Sequence, residues 1–303
     1  MSKFLSIVLA VSIPVCVYAS GPGTTGATFL KIGIGARPVS MGEAFAGVAD
    51  DADAIYWNPA GLAGIEAPQA SFTHAAWFET IKYEHLAFSY PSSKGTFSGA
   101  INRLSMSPIE KYDKYGTKMN ATYEPSDTAM TLSYARKMFG FSSGINLKYI
   151  KSEIDGSSAA GILLDVGGMR KLLDEKLSLG LVLQNLGQSI AFDGASDATP
   201  LNIKLGSAYK LLDNKLTLAL DLNKPRDNDI RANLGAEYLY ELKDSLTLAG
   251  RAGYKTNTDG LDTMDGLSIG IGARISKKYG MDYAWVPYGD LGDTHRISLS
   301  ASF

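Results

Sequence analysis

From about residue 70 to the last residue, apolar and polar side chains alternate with a period of two. The clearest stretch sets Leu216, Leu218, Leu220 and Leu222 against Thr217, Ala219, Asp221 and Asn223. The last residues repeat it, with Ile297, Leu299, Ala301 and Phe303 interleaved by Ser298, Ser300 and Ser302. Leu177–Leu183, Ile230–Tyr238 and Leu267–Ile275 carry the same signature. Successive side chains of a strand point to opposite faces, so each segment reads as a strand with one apolar face. No later stretch holds 18 uninterrupted apolar residues, so no segment of this region reads as a membrane helix. Alternation alone does not separate a soluble sandwich from a membrane barrel.

Connection lengths favour the barrel. Strands are expected at about 69–77, 81–90, 95–106, 127–138, 141–152, 158–170, 175–185, 201–210, 215–223, 230–240, 245–255, 265–276, 279–287 and 294–303, about fourteen in all. Every second connection is tight: Pro91–Lys94, Phe139-Gly140, Lys171–Asp174, Leu211–Asn214, Glu241–Asp244 and Lys277-Lys278. The others are mostly longer and polar: Ser107–Ser126, Leu186–Pro200, Lys224–Asp229, Thr256–Met264 and Tyr288–Asp293, with short exceptions near Glu79 and Asp155. Short periplasmic turns alternating with longer external loops are a habit of outer-membrane barrels that a sandwich does not need. Tyr90, Tyr134, Tyr209, Tyr238 and Tyr240 fall near the short-turn ends, and Tyr149, Tyr254 and Trp285 near the opposite ends, as two interfacial aromatic belts would require. The expected fold is all-β: a transmembrane antiparallel β-barrel of about 14 strands with a small N-terminal helical plug. One internal echo, Lys171-Leu172-Leu173-Asp174-Glu175-Lys176-Leu177 against Lys210-Leu211-Leu212-Asp213-Asn214-Lys215-Leu216, reads as a repeated hairpin turn.

The beginning of the chain reads differently. Lys3 and the apolar run Phe4–Val17, followed by Val17-Tyr18-Ala19, form a secretory signal with the cut expected after Ala19. The run is short of the about 20 residues of a membrane anchor. The sole cysteine, Cys16, lies within it, so the mature chain has no thiol chemistry. The expected organisation is signal 1–19, plug segment 20–66 and barrel 67–303. Within the plug, Arg37–Gly47 has small and apolar residues at helical spacing, with Pro38 suited to a first turn. The acidic run Asp50-Asp51-Ala52-Asp53 reads as a solvated turn, and Asn58 as the cap of a short helix begun by Pro59. Phe29, Ile32, Ile34, Met41, Phe45, Ile55 and Trp57 need a surface to bury against, and the lumen offers it.

The run Gly35–Ile65, with Gly35, Arg37, Pro38, Met41 and Gly42 followed by Asn58, Pro59, Ala60 and Gly61, resembles the N-terminal signature of the PorV/PorQ-type outer-membrane proteins, which are similar to the FadL fatty-acid transporters. The resemblance implies a plugged fourteen-stranded barrel. It implies one of two roles: docking of secreted proteins or secretion-system components in type IX export, or FadL-like passage of hydrophobic small molecules, with a ligand pocket near Phe45 and Trp57. The chain is shorter than members of either group, with modest external loops.

Net charge is -2 and mean hydropathy -0.02, which gives no basic footprint for nucleic acid and excludes a helical membrane bundle. Gly33-Ile34-Gly35 lacks the third glycine of a dinucleotide fingerprint, and Ile269–Arg274 has the same look inside a strand. Asp50, Asp51 and Asp53 lack calcium-loop spacing. His74, His85 and His295 lie on distant strands. No catalytic set, metal site or cofactor is expected. On the polar faces, Lys148, Asp165, Lys204, Asp221, Arg231, Glu237, Arg251, Arg274, Asp282 and Arg296 are expected to point into the lumen. There they form either a salt-bridged lining that ties plug to wall or a permeation path for an amphipathic ligand.

Overall fold

The computed structural model describes residues 21–192, 194–243, 245–256 and 266–303; the expected signal and its cleavage point lie outside them. In chain order the strands are β1 (Gln69–Ala76), β2 (Lys82–Ser92), β3 (Gly95–Ser105), β4 (Ile109–Tyr112), β5 (Lys118–Tyr123), β6 (Ser126–Met138), β7 (Phe141–Ile154), β8 (Ser157–Leu172) and β9 (Leu177–Gly187). They continue as β10 (Ile190–Phe192), β11 (Ala195–Asp197), β12 (Asn202–Leu211), β13 (Leu216–Pro225), β14 (Arg231–Lys243), β15 (Leu246–Lys255), β16 (Leu267–Ile275), β17 (Tyr279–Pro287) and β18 (Asp293–Ser302). Fourteen of them close into one antiparallel barrel in the order β1-β18-β17-β16-β15-β14-β13-β12-β9-β8-β7-β6-β3-β2. The pairs β4–β5 and β10–β11 are separate two-stranded hairpins. They occupy the expected loops 107–126 and 186–200, which are therefore structured.

Closure comes from β1 against β18, where Phe72 faces Leu299 and Thr73 faces Ser298. The seam is finished by Phe303 N–H donating to Pro68 C=O at 2.9 Å. A closed barrel leaves no unpaired strand edge, which is the condition for a sheet to cross hydrocarbon.

The alternation becomes an inside and an outside. On β13, Leu218 and Leu220 are 44% and 40% exposed, whereas Asp221 is 0% exposed. Leu132, Leu147, Ile162, Ile271 and Leu299 continue the exposed apolar surface around the barrel. Tyr90, Tyr238 and Tyr240 are exposed near the short-turn end and Tyr149 and Tyr254 toward the other. Tyr134 instead leans on a turn, its hydroxyl donating to Lys94 C=O at 2.6 Å.

The two echoing turns share one backbone. Leu173, Asp174 and Glu175 have φ of 52°, 52° and 65°, and Leu212, Asp213 and Asn214 have 50°, 54° and 66°. Each turn is closed by the same bond, Lys176 N–H to Leu173 C=O and Lys215 N–H to Leu212 C=O, both 3.1 Å. Three consecutive left-handed residues without a glycine are sterically costly. The repeated K-L-L-D-x-K-L string is thus one solution to a tight strand reversal, used twice.

Candidate functional site

Residues 27–66 run inside the barrel. Gly35, with φ of 77°, precedes helix α1 (Ala36–Ser40). The expected helix through Gly47 stops at Ser40 because Gly42 and Glu43 adopt φ of 63° and 62°. The turn puts Gly42 against the wall: its N–H donates to Ser268 Oγ at 3.0 Å and its carbonyl accepts from Asn233 Nδ2 at 2.7 Å. Helix α2 (Ala54–Trp57) follows, then a 3-10 turn, Pro59–Gly64. Asn58 caps that turn: its Oδ1 accepts from Ala60 N–H at 3.1 Å and its Nδ2 donates to Ala46 C=O at 2.8 Å.

Apolar packing holds the segment together. Phe29, Ile34, Met41, Phe45, Ile55 and Trp57 are all buried in one cluster with wall residues such as Ala75, Ile150 and Leu163. Trp57 Nε1 donates to Ile34 C=O at 3.1 Å, and Tyr56 Oη reaches Leu30 C=O and Ile32 C=O, both at 3.0 Å. Phe45 and Trp57 meet edge to face with ring centroids 6.3 Å apart and no exposed surface. The expected ligand pocket beside them is therefore corrected: the two rings fill the core.

The wall makes room by omitting side chains. Seven strands of one continuous arc each place a glycine against the segment: Gly144 on β7, Gly167 on β8, Gly180 on β9, Gly206 on β12, Gly235 on β14, Gly253 on β15 and Gly270 on β16. A Cβ at any of them would fall inside 3.0 Å of segment atoms. Between Gly206 and Gly235, β13 contributes Asp221, whose carboxylate accepts from Phe45 N–H at 3.0 Å and Ala46 N–H at 2.8 Å.

The luminal charges sort into three groups. Arg37 donates to Glu237 through Nε at 2.9 Å and Nη2 at 2.8 Å, and through Nη1 to Asp50 at 2.5 Å and Asp51 at 2.8 Å. Glu237 also accepts from Arg251 at 2.6 Å, and Arg251 from its Nη1 reaches Asp282 at 2.7 Å, so one buried chain of ions joins segment, β14, β15 and β17. A second group is Lys148 with Asp165 at 2.7 Å, supported by Asn185 and Asn146. The third comprises Lys204, whose ammonium lies 4.5 Å from the Trp57 ring centre, Arg231, Arg274 and Arg296, whose guanidinium stacks 4.9 Å from the Trp77 ring centre. Arg274 lines a cavity of about 110 Å³ with Arg37, Asp50 and Asp51 at the short-turn end.

The acidic run is the solvated turn expected only at Asp50, which stays exposed. Asp50 and Asp51 pair with Arg37, and Asp53 is buried, accepting from Ser71 Oγ at 2.5 Å with His85 Nε2 3.5 Å away. Burial pushes the Asp51 carboxyl up, and the negative neighbours Asp53 and Asp50 add to it against the pull of Arg37, leaving it at about 7. Burial acts the same way on Glu43, yet Lys255, bonded at 2.8 Å, and the cations Lys204 and Arg231 outweigh it and hold that carboxyl at about 2. The three histidines are not brought together: His74 lies near Glu84, His85 near Asp53 and Asn102, and His295 near Tyr283. Among the described residues no cluster of three or more His, Cys, Asp or Glu could hold a metal ion.

The seven glycines and the amides Asn146, Gln184 and Asn233 were missed from sequence. Parity could have found them, since Gly235 lies between inward Asn233 and Glu237, and Gly253 two residues from inward Arg251.

A family model described as "Uncharacterised protein family (UPF0164)" matches residues 17–162. A UPF0164 protein of Treponema pallidum (strain Nichols) is 26% identical over 171 residues, covering 52% of this chain and 42% of that protein, so the match spans less than half of the relative's length. Among solved structures, the toluene transporter TodX of Pseudomonas putida aligns with a TM-score of 0.57 at 11% identity, covering 86% of this chain and 96% of TodX. A deltaS2S3 mutant of TodX, described as a monoaromatic hydrocarbon channel, aligns with a TM-score of 0.57 at 12% identity, covering 89% and 99%. The chain therefore has the fold of an outer-membrane protein: a closed, fourteen-stranded antiparallel β-barrel with the architecture of TodX.

Proposed function

We propose that this chain is a small-molecule transport protein of the outer membrane, with residues 27–66 as the plug that closes its passage. The observation that carries the reading is the seating of this segment: its core is full, its backbone lies on glycines of seven strands, and Arg37 joins it to the wall. In this reading Gly35, Arg37, Pro38, Met41 and Gly42 form one anchor and Asn58-Pro59-Ala60-Gly61 the other, while the luminal ions hold them in register. The exposed leucines and isoleucines contact outer-membrane lipid. Hydrophobic cargo is supported by the resemblance of Gly35–Ile65 to PorV/PorQ-type proteins, themselves similar to the FadL transporters, and by likeness in fold to a toluene transporter. Single-channel conductance in planar bilayers tests the plug, comparing the intact chain with one lacking residues 27–66. The intact chain should be closed and the deletion should conduct; an intact chain that conducts as well as the deletion defeats the reading.

A second reading, docking of secreted proteins in type IX-like export, draws on the hairpin β4–β5, where Tyr112, Tyr115 and Met119 are exposed beyond the barrel. Site-specific crosslinking from Tyr115 in native membranes tests it. Crosslinks to secretion components favour docking, and crosslinks confined to lipid count against it.

A further inference from the structure

Two adjoining chambers open toward the long-connection end of the lumen. The inner one, about 40 Å³, is lined by Tyr56, Gln184, Asn202, Lys204, Asn223 and Arg231 among others. The outer one, about 260 Å³, shares Lys31, Glu43 and Arg231 with it and is rimmed by Trp77 and Tyr288. The two chambers together present four cations and two carboxylates. Lys31 is paired with Asp227, and Lys255 with Glu43 at 2.8 Å, so each carboxylate makes its direct ion pair with a lysine other than Lys204.

Lys204 and Arg231 remain. Lys204 is 6% exposed, and among the described residues its ammonium has no hydrogen-bond acceptor or ion pair, only the faces of Trp57 and Tyr56. The carboxylate behind it, Asp221, accepts the N–H groups of Phe45 and Ala46 at Oδ2, and its Oδ1 has no hydrogen-bond partner among the described residues. Among the described residues Arg231 Nε is buried without a partner, and so are the acceptor atoms Asn202 Oδ1 and Asn223 Oδ1. Asp221 and Glu43 attract Lys204 without making an ion pair with it, and a buried cation lacking a direct partner is costly, as is each unmet donor or acceptor.

We propose that these chambers bind a small hydrophilic anion, a carboxylate or phosphate, through Lys204 and Arg231, with Asn202 and Asn223 accepting from its hydroxyls. Sizes agree: a water needs about 10–15 Å³ of such volume, so the inner chamber admits one carboxylate or phosphate group. The outer chamber takes a sugar-sized remainder between Trp77 and Tyr288. The inner chamber has no extended aliphatic wall, since Leu30, Pro200 and Pro225 are its only aliphatic residues. The site exists with the N-terminal segment in place, so it stands whether or not that segment moves.

Titration calorimetry on the full mature protein in non-ionic micelles decides it, with inorganic phosphate, glucuronate, glucose and octanoate as probes. Saturable binding of phosphate or glucuronate, but not of neutral glucose, is expected, and the responding probe identifies the anionic group. Lys204→Met and Arg231→Gln should each weaken that binding by about tenfold or more, as the loss of a charge-assisted bond does. Folding of each variant is read from its heat-modifiable migration in gels. If Lys204→Met fails that check, Arg231→Gln, at the chamber edge, decides alone. Absence of binding by both anions, glucose binding as well as glucuronate, octanoate binding more tightly than glucuronate, or unchanged affinity in the correctly folded variants would each overturn the proposal.

Discussion

Replacing Gly253 with alanine puts one methyl group where the wall and the luminal segment touch. The new Cβ would fall well inside 3.0 Å of the backbone of Met41 and Gly42. Neither neighbour can yield by rotating a side chain, because Gly42 N–H and C=O are both held, by Ser268 and Asn233. The segment backbone has to retreat by roughly 1 Å, and overpacking of this kind costs about 1–3 kcal/mol. Gly250 supplies the control on the same strand: a Cβ there meets nothing within 4 Å, so alanine should be neutral or stabilise by up to about 1 kcal/mol through the unfolded chain. Hydrogen exchange of the amides of Phe45 and Ala46, which are bonded to Asp221, reads the seating directly. Gly253→Ala should speed their exchange by about 5–150-fold, the equivalent of 1–3 kcal/mol of local opening, and Gly250→Ala should not. Equal exchange in both variants would refute the idea that the wall glycines exist to admit the segment.

Two further outcomes follow from the charges and the lipid face. Leu220→Lys, on the exposed apolar surface at the middle of β13, should cost about 2–4 kcal/mol in reversible urea unfolding in lipid, against about 0–1 for Leu212→Lys in the short turn. Because the Asp51 carboxyl is raised to about 7, the seated segment holds a proton that the released segment gives up; this contribution is complete below about pH 4 and is lost as pH rises through 7. Amide exchange in the segment should therefore be faster at pH 8.5 than at pH 5.5 once intrinsic rates are divided out, and Asp51→Asn should flatten the difference.

The barrel was legible because every wall strand divides an exposed apolar face from an inward one residue by residue, so Leu218, Leu220 and Leu222 announce their face by spacing alone. The hairpin β4–β5 was not, since most of Lys118–Tyr123 is exposed on both faces and leaves no alternation to read. The inward direction of Glu237, Arg251 and Asp282 followed from the same parity. Their partners did not, because Arg37 and Glu237 are 200 residues apart and only closure brings them together. The run Asp50–Asp53 looked solvated because its counter-ion is thirteen residues upstream of Asp50 and reaches it only through the turn at Gly42 and Glu43.

The ring is closed by one junction, the meeting of β1 and β18, and the luminal segment touches both sides of it. Helix α1 leans on β15, β16, β17 and β18, and Ala36 N–H donates to Ser298 Oγ at 2.7 Å. The Pro59–Gly64 turn leans on β3, β6, β7 and β8. The segment is thus a chord drawn across a hoop, fastened on either side of the joint. The portion of this region that precedes every strand in the chain can take its place only when the last strand has arrived, and its attachments then resist any parting of β1 from β18. Assembly order and seam strength are in this way written into the same few contacts.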